Sequence, residues 1–278
     1  VRTFGTDIPK ALTIAGSDCG GGAGIQADLK TFQELDVYGM SVLTAVTAQN
    51  TLGVRGVYPL TIEAIVEQLT AIESDLAPQA VKTGMLFSGE IIAAVASCIR
   101  RFGWSNLVVD PVMIAKGGTG LLQEEAVQSL KEHLLPLARI VTPNVPEAEK
   151  LTGKTLNSLA DRKEAAKQIA DMGAQHVVIK GGHLEEADAA TDLIYDGRDF
   201  YELAGPRVYT AHTHGTGCTF AAAITAELAA GKTPLAAVKT AKAFIQAAIE
   251  FPLSIGSGHG PTNHWAYRKY RQSAGVNK

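Results

Sequence analysis

The chain has 278 residues, 46% of them hydrophobic, and a formal net charge of −3. That is enough apolar material for one large α/β core, and the charge argues against nucleic acid or an anionic membrane surface as partner. No apolar run reaches the length of a membrane span, Val1 to Lys10 lacks the apolar stretch of a secretory signal, and Cys19, Cys98 and Cys218 are too far apart for a metal pair or disulfide framework, so a reducing cytoplasm is the expected location.

Lys10 to Gly16 is a short apolar run that predicts a buried strand. Ser17 to Gly24 follows as a glycine-dense loop, and Ile25 to Leu35 carries Ile25, Leu29, Phe32 and Leu35 on one helical face. Strand, loop and helix make the first half of a βαβ unit. The glycines of this loop do not fit the dinucleotide pattern G-x-G-x-x-G, so they point only to close approach of the backbone to a small ligand. Gly39 to Gln49 predicts a second strand rich in β-branched residues, and Ile62 to Ile72 a helix.

Ala80 to Thr83 is a short strand, Ser88 caps a helix running to about Phe102, and Leu107 to Val109 is a strand ending at Asp110. Lys116 to Gly120 reads as a flexible flap before a helix over Glu124 to Leu134. Ile140 to Thr142 is a strand running into Pro143-Asn144-Val145-Pro146-Glu147 and a short helix. Ser158 caps a longer helix through Met172, stopped by Gly173. His176 to Lys180 is a strand, and Ala190 to Tyr195 with Phe200 to Leu203 flank the hairpin signal Asp196-Gly197. Pro234 opens a last long helix to about Phe251, and the glycine-rich tail from Ser254 is expected to cover an edge.

Between these elements lies His212-Thr213-His214-Gly215-Thr216-Gly217-Cys218, a glycine-bearing turn that opens into a small-residue helix. Its unpaired N–H groups and the positive end of the helix dipole make it an anion site, and Cys218 lies in a field that eases ionisation of a thiol. A plain loop-to-helix junction with a packed cysteine fits this segment equally well. His212 and His214 have no third ligand nearby, so they shape the loop and hold no metal.

Alternating strands and helices predict a mainly parallel sheet covered on both faces. Ligands bind such sheets at the carboxyl ends of the strands. Asp18, Gln49, Lys82, Asp110, Asn144, Glu147 and Lys180 all fall there, together with the 212–218 loop.

The ordered set Ala11 to Asp18, Gly21 to Asp28, Ala48 to Thr51, Lys82 to Met85, Thr142 to Glu147, Lys180 to His183 and His212 to Cys218 closely resembles the hydroxymethylpyrimidine kinase / phosphomethylpyrimidine kinase family of thiamine biosynthesis. The resemblance covers nearly the whole chain. It implies a ribokinase-like α/β fold with a small flap, as one domain over 1–278 with peripheral tails at 1–9 and 270–278. The implied reaction is ATP-dependent phosphorylation of 4-amino-5-hydroxymethyl-2-methylpyrimidine, then of its monophosphate.

The resemblance also implies roles. Cys218 is the base facing the substrate hydroxyl, within an anion hole of Gly215, Thr216, Gly217 and Cys218. Gln49 reads the aminopyrimidine, whose amine and ring nitrogen complement the two functions of an amide. Asp28 stands near the substrate hydroxyl, unless it is only a solvated helix carboxylate. Gly16, Met85 and Val112 line the ring pocket. Lys180, Asn144, Thr142 and Lys116 contact ATP phosphates, although Asn144 also suits a helix cap. Glu147 and Asp110 hold Mg²⁺, through water. A monovalent cation is a further candidate cofactor, and a homodimer is implied.

A related branch acts as pyridoxal kinase. There the position of Gln49 tends to be methionine, and a cysteine stands in the flap just before the lysine. This chain has Gln49 and Ala115, which favour the pyrimidine; the alternatives are a vitamin B6 kinase, dual activity and, last, a non-catalytic nucleotide- or pyrimidine-binding protein.

Overall fold

The computed structural model describes residues 8–113, 124–182 and 189–273. Six strands run parallel in the order β2 (Tyr38–Asn50), β1 (Lys10–Asp18), β4 (Ala80–Thr83), β5 (Leu107–Val109), β6 (Ile140–Val141) and β7 (His176–Ile179). Antiparallel β3 (Gly53–Pro59) closes one edge. Antiparallel β8 (Ala189–Tyr195) and β9 (Phe200–Pro206) extend the other. The strand order reverses between β1 and β4, so their carboxyl ends open a crevice there.

Helices cover both faces, which is why the central strands are apolar on both sides. One core packs α2 (Ile62–Leu76), α3 (Gly89–Phe102), α4 (Glu124–Ser129), α5 (Val145–Thr152) and α6 (Leu159–Asp171) against residues such as Leu12, Ile14 and Val109. The other packs α1 (Gly24–Glu34), α7 (Thr216–Ala229) and α8 (Pro234–Glu250) against Ala11, Val108 and Ile140. α7 lies between α1 and α8. It is therefore buried nearly all round, and its alanines allow the close approach.

The expected caps are present. The hydroxyls of Ser88, Ser158 and Thr233 each accept an N–H three residues on, a contact worth about 1 kcal/mol. Gly103 and Gly153 end α3 and α5 in the left-handed conformation.

Three expectations need correction. β3 was not anticipated, because Gly53, Arg55 and Gly56 dilute the pattern of a half-exposed edge strand. The helix expected over Glu124 to Leu134 is α-helical only to Ser129. It widens into a π turn over Leu130–Leu134 and tightens into a 3₁₀ turn, Leu135–Leu137, around Pro136. The tail past Ser254 does not simply cover a sheet edge. His259 N–H donates to Thr51 O at 2.8 Å, and His214 N–H donates to Gly260 O at 3.0 Å. The chain then forms α9 (Ala266–Ser273) against α8, and the end of α9 runs into the 270–278 tail expected to be peripheral.

His264 anchors this tail: it is buried, and its Nε2 lies 3.0 Å from the Thr219 hydroxyl. Burial, helped by Lys30, pushes its pKa down from 6.5 to about 4. The folded state therefore binds fewer protons than the unfolded state between those values. The stability His264 contributes is full above pH 6.5 and is lost as pH falls through 4. Thermal melts from pH 7 to 4 are expected to show this decline, with a shallower slope in His264→Gln.

Candidate active site

The carboxyl ends of the parallel strands open into a cleft of about 540 Å³, a size that suits small-molecule ligands. Its central part is built by two loops held against each other. Asp18, at the end of β1, is buried, and its Oδ1 accepts the Gly20 N–H at 2.8 Å. Its Oδ2 accepts the N–H of Gly22 at 3.0 Å and of Ala23 at 2.8 Å. That same oxygen lies 2.8 Å from His214 Nε2. Burial alone would raise the Asp18 pKa, but His214 and these N–H groups outweigh it and hold the carboxyl below its ordinary value. His214 is thus scaffolding, as expected.

Gly215 caps α7 with φ of 82°, and a Cβ there would collide with the Gly22 carbonyl, so only glycine fits. Thr216 hydroxyl donates to Thr213 O at 2.6 Å. The N–H groups of Gly217 and Cys218 have no acceptor among the described residues, and both residues line the cleft. A Cβ built on Gly217 would stand 3.5 Å from Lys180 Nζ and 3.7 Å from Asp110 Oδ2, in ordinary contact, so the first turn of α7 lies beside this pair.

Cys218 stands in the first turn of α7, but the expected ease of ionisation is overturned. Burial pushes its thiol up to about 11. Lys82 and the Gly24 N–H pull the other way, while Asp28 and Asp110 add to the rise. Desolvation and two acids outweigh the helix terminus.

Asn144 and Glu147 form a reciprocal cap on α5: each accepts the other's backbone N–H at 2.8 Å. The Glu147 carboxylate also lies 4.0 Å from Lys180 Nζ, which donates to Asp110 Oδ1 at 3.1 Å. Burial, reinforced by Asp110 and opposed by Lys180, pushes Glu147 up to about 7. Asp110 Oδ2 is buried without a partner among the described residues. Lys180 stays protonated: burial disfavours its charge, but Asp110 and Glu147 outweigh that.

Gly16, Gln49, Met85 and Val112 line the cleft together. A Cβ on Gly16 would strike the Met85 methyl, so glycine there makes room for Met85. The Gln49 amide has no partner among the described residues, while its backbone contacts Cys19, whose Sγ lies 3.1 Å from Gln49 O. Lys116 lies outside the described residues.

Two expected ligand contacts are displaced from the cleft. Thr142 is fully buried, and its hydroxyl donates to Asp110 Oδ1 at 3.3 Å, behind the surface a phosphate would meet. Asp28 is neither solvated nor lining the cleft. It is fully buried, accepting on Oδ2 from Thr13 hydroxyl at 2.6 Å and from Lys82 Nζ at 2.9 Å. Its position is behind Lys82, which does line the cleft.

The model of the family described as phosphomethylpyrimidine kinase matches residues 18–263. The chain belongs to that family. The hydroxymethylpyrimidine/phosphomethylpyrimidine kinase of Bacillus subtilis is 60% identical over 94% of this chain and 97% of its own length. An ADP complex of Bacillus subtilis pyridoxal kinase aligns with TM-score 0.88 at 46% identity, over 94% of this chain and 99% of that one. The pyridoxal kinase from Staphylococcus aureus in complex with AMP-PCP and pyridoxal aligns at 0.87 and 45% identity, over 95% and 96% of the two chains. As a member of this family, the chain is a kinase with the ribokinase-like fold. Among the described residues, no helix is long and apolar enough to cross a membrane.

Two features of this kinase escaped the sequence. One is the Lys82–Asp28 pair: the residues are 54 positions apart, and only the β1–β4 pairing joins them. The other is the apolar end of the cleft, made by Val208, Phe220, Ile245 and Ile249. Phe220, Ile245 and Ile249 read as core positions of α7 and α8, with the burial expected of both helices as their signal, and Val208 lies in the segment after β9.

Two outcomes follow for the kinase. Asp28→Ala leaves a buried ammonium unpaired and is expected to cost about 3–5 kcal/mol in denaturant unfolding. Alkylation of Cys218 in the free enzyme is expected to be slow at pH 7 and to accelerate up to about pH 11, read by mass spectrometry of the modified peptide.

Proposed function

We propose that the chain transfers the terminal phosphoryl group of ATP to the hydroxymethyl group of 4-amino-5-hydroxymethyl-2-methylpyrimidine, and then to the resulting monophosphate. The observation that carries this reading is the cleft itself. An amide free to read a ring, Gln49, opens into the same space as the unpaired N–H groups of Gly217 and Cys218.

In this reading Gln49 takes the amine and ring nitrogen of the pyrimidine, and Met85 and Val112 flank the ring. Phosphoryl transfer is chiefly positioning and neutralisation of charge. The first turn of α7 receives the moving phosphoryl with its N–H groups and dipole. Lys180 faces the same passage. Asn144 stays in its helix cap and fixes Glu147. Cys218 takes the alcohol proton late and as the thiolate, the minor form at neutral pH that Lys82 and the Gly24 N–H favour; the thiol gives up its own proton to solvent before the transfer.

Asp110 and Glu147 fit Mg²⁺: two carboxylates, one with an unpartnered buried oxygen, suit an ion that keeps several waters. The ion would neutralise the nucleotide phosphates. The nine-stranded sheet supports reading the chain as one kinase domain. A homodimer is supported by Val46 and Tyr58, paired across the β2–β3 edge and both exposed.

Vitamin B6 kinase is the second reading, favoured by the pyridoxal kinases among the structural relatives. Within Bacillus subtilis, however, identity is 60% to the pyrimidine kinase and 46% to the pyridoxal kinase. With ATP and Mg²⁺, kcat/KM for the pyrimidine alcohol is expected to exceed that for pyridoxal; the reverse order would transfer the assignment. Cys218→Ala is expected to keep pyrimidine binding and lose most of kcat. Unchanged turnover would make Cys218 a packing residue.

A further inference from the structure

Lys82 is a fully buried ammonium in the wall of the cleft. Burial disfavours its charge, but the carboxylates of Asp28 and Asp110 outweigh that and keep it protonated. An ammonium has three donors. Among the described residues Lys82 Nζ makes one hydrogen bond, to Asp28 Oδ2 at 2.9 Å. Asp28 is itself fixed from the far side by the Thr13 hydroxyl, so the ammonium is held from behind. In front, Gly84 leaves it room, since a Cβ there would stand 3.0 Å from Nζ. Lys82 and Cys218 line the same cleft, and Lys82 is the group that most strongly favours negative charge on the Cys218 sulfur.

Two other lysines facing this space, Lys180 and Lys242, are more heavily committed. Lys180 is shared by Asp110 and Glu147. Lys242 bonds Ala190 O at 2.7 Å and Asp192 Oδ2 at 2.9 Å. Lys82 therefore offers a fixed positive charge with donors to spare beside Cys218. The acceptor groups of the two transfers differ there. The first acceptor is a neutral hydroxyl; the second is a phosphate carrying roughly −1.5 to −2 charges at neutral pH. A rigid buried cation discriminates between them by charge.

We propose that Lys82 is a catalytic residue that contacts the acceptor group and makes the second phosphorylation possible, donating to an oxygen of the monophosphate. In that step a non-bridging oxygen of the monophosphate bonds to the γ-phosphorus of ATP. The bond from that phosphorus to the β–γ bridging oxygen breaks, and its electron pair leaves on ADP. Lys82 offsets the repulsion between the two phosphoryl groups as they approach. Asp28 is a positioning residue, acting only through Lys82.

This inference rests on the pyrimidine kinase reading, and one experiment separates the two. Lys82→Met and Lys82→Met/Asp28→Asn are assayed with the pyrimidine alcohol and, separately, with its monophosphate. The double variant removes the whole ion pair, so no buried carboxylate is left unpaired and the fold is kept. In both variants kcat/KM for the monophosphate is expected to fall at least about thirtyfold further than kcat/KM for the alcohol. A structural defect would lower both together, so an equal loss overturns the proposal, as does a loss expressed only in KM for ATP. If wild-type protein phosphorylates neither compound, the pyrimidine kinase reading falls, and this assignment with it. If wild type turns over both and the ratio is unchanged in the variants, the reading stands and Lys82 loses its role.

Discussion

The active-site cleft depends on one buried carboxylate. Asp18 receives three N–H groups of the first glycine loop and the ring of His214, from a loop 196 residues further on. Neither loop has regular structure to hold it. The carboxylate fixes the glycine loop from inside and then the α7 loop against it, with Gly215 and Gly22 in near contact. The first turn of α7 points where it does because this junction holds. Charge-assisted bonds of this kind are roughly twice as strong as neutral ones. Buried and fully satisfied, such a group specifies one arrangement of the two loops.

Around that junction the cleft sorts its charges by burial. Three lysines in the wall have an acid behind them: Asp28 for Lys82, Asp110 and Glu147 for Lys180, Asp192 for Lys242. Their acids keep Lys82 and Lys180 protonated away from bulk water, and Lys82 leaves donors for a ligand. Burial, with Asp28 and Asp110, works against ionisation of the Cys218 thiol, which is therefore protonated in the free enzyme. A site built for phosphates accepts this, because its task is to neutralise charge and its nucleophile is an alcohol or a phosphate oxygen.

The fold was largely legible in the sequence because most of the parallel strands end in or run straight into a polar residue and several helices open at a side-chain cap. Ser88, Ser158 and Pro234 marked their helices, and Asp18, Gln49, Asp110, Asn144 and Lys180 fall at one edge of the sheet. What could not be read was partnership and depth. Nothing local to Asp28 separates a solvated helix carboxylate from the fully buried partner of Lys82. Thr142 sits one residue beyond β6, where a ligand contact was expected, yet the pleat turns it under Asp110. The helix terminus at Cys218 was visible, but the desolvation that outweighs it comes from α1, β4 and β5 together, and no segment carries that information alone.

The C-terminal strap has a consequence for how the molecule forms. The Gly258 N–H meets the Thr51 hydroxyl across 207 residues, and His214 pairs with Gly260 and Pro261. Contacts this distant in sequence carry the full entropy of closing a long loop and form slowly. The β1–β2–β4 sheet and its α2–α3 layer can condense on local contacts before that happens. A nascent chain can therefore hold most of its hydrophobic core while the phosphate cradle is still open. The wall that would grip the substrate is completed only when the segment around Gly258 to His264 has been made and laid down, so the order of synthesis puts architecture first and binding capacity last.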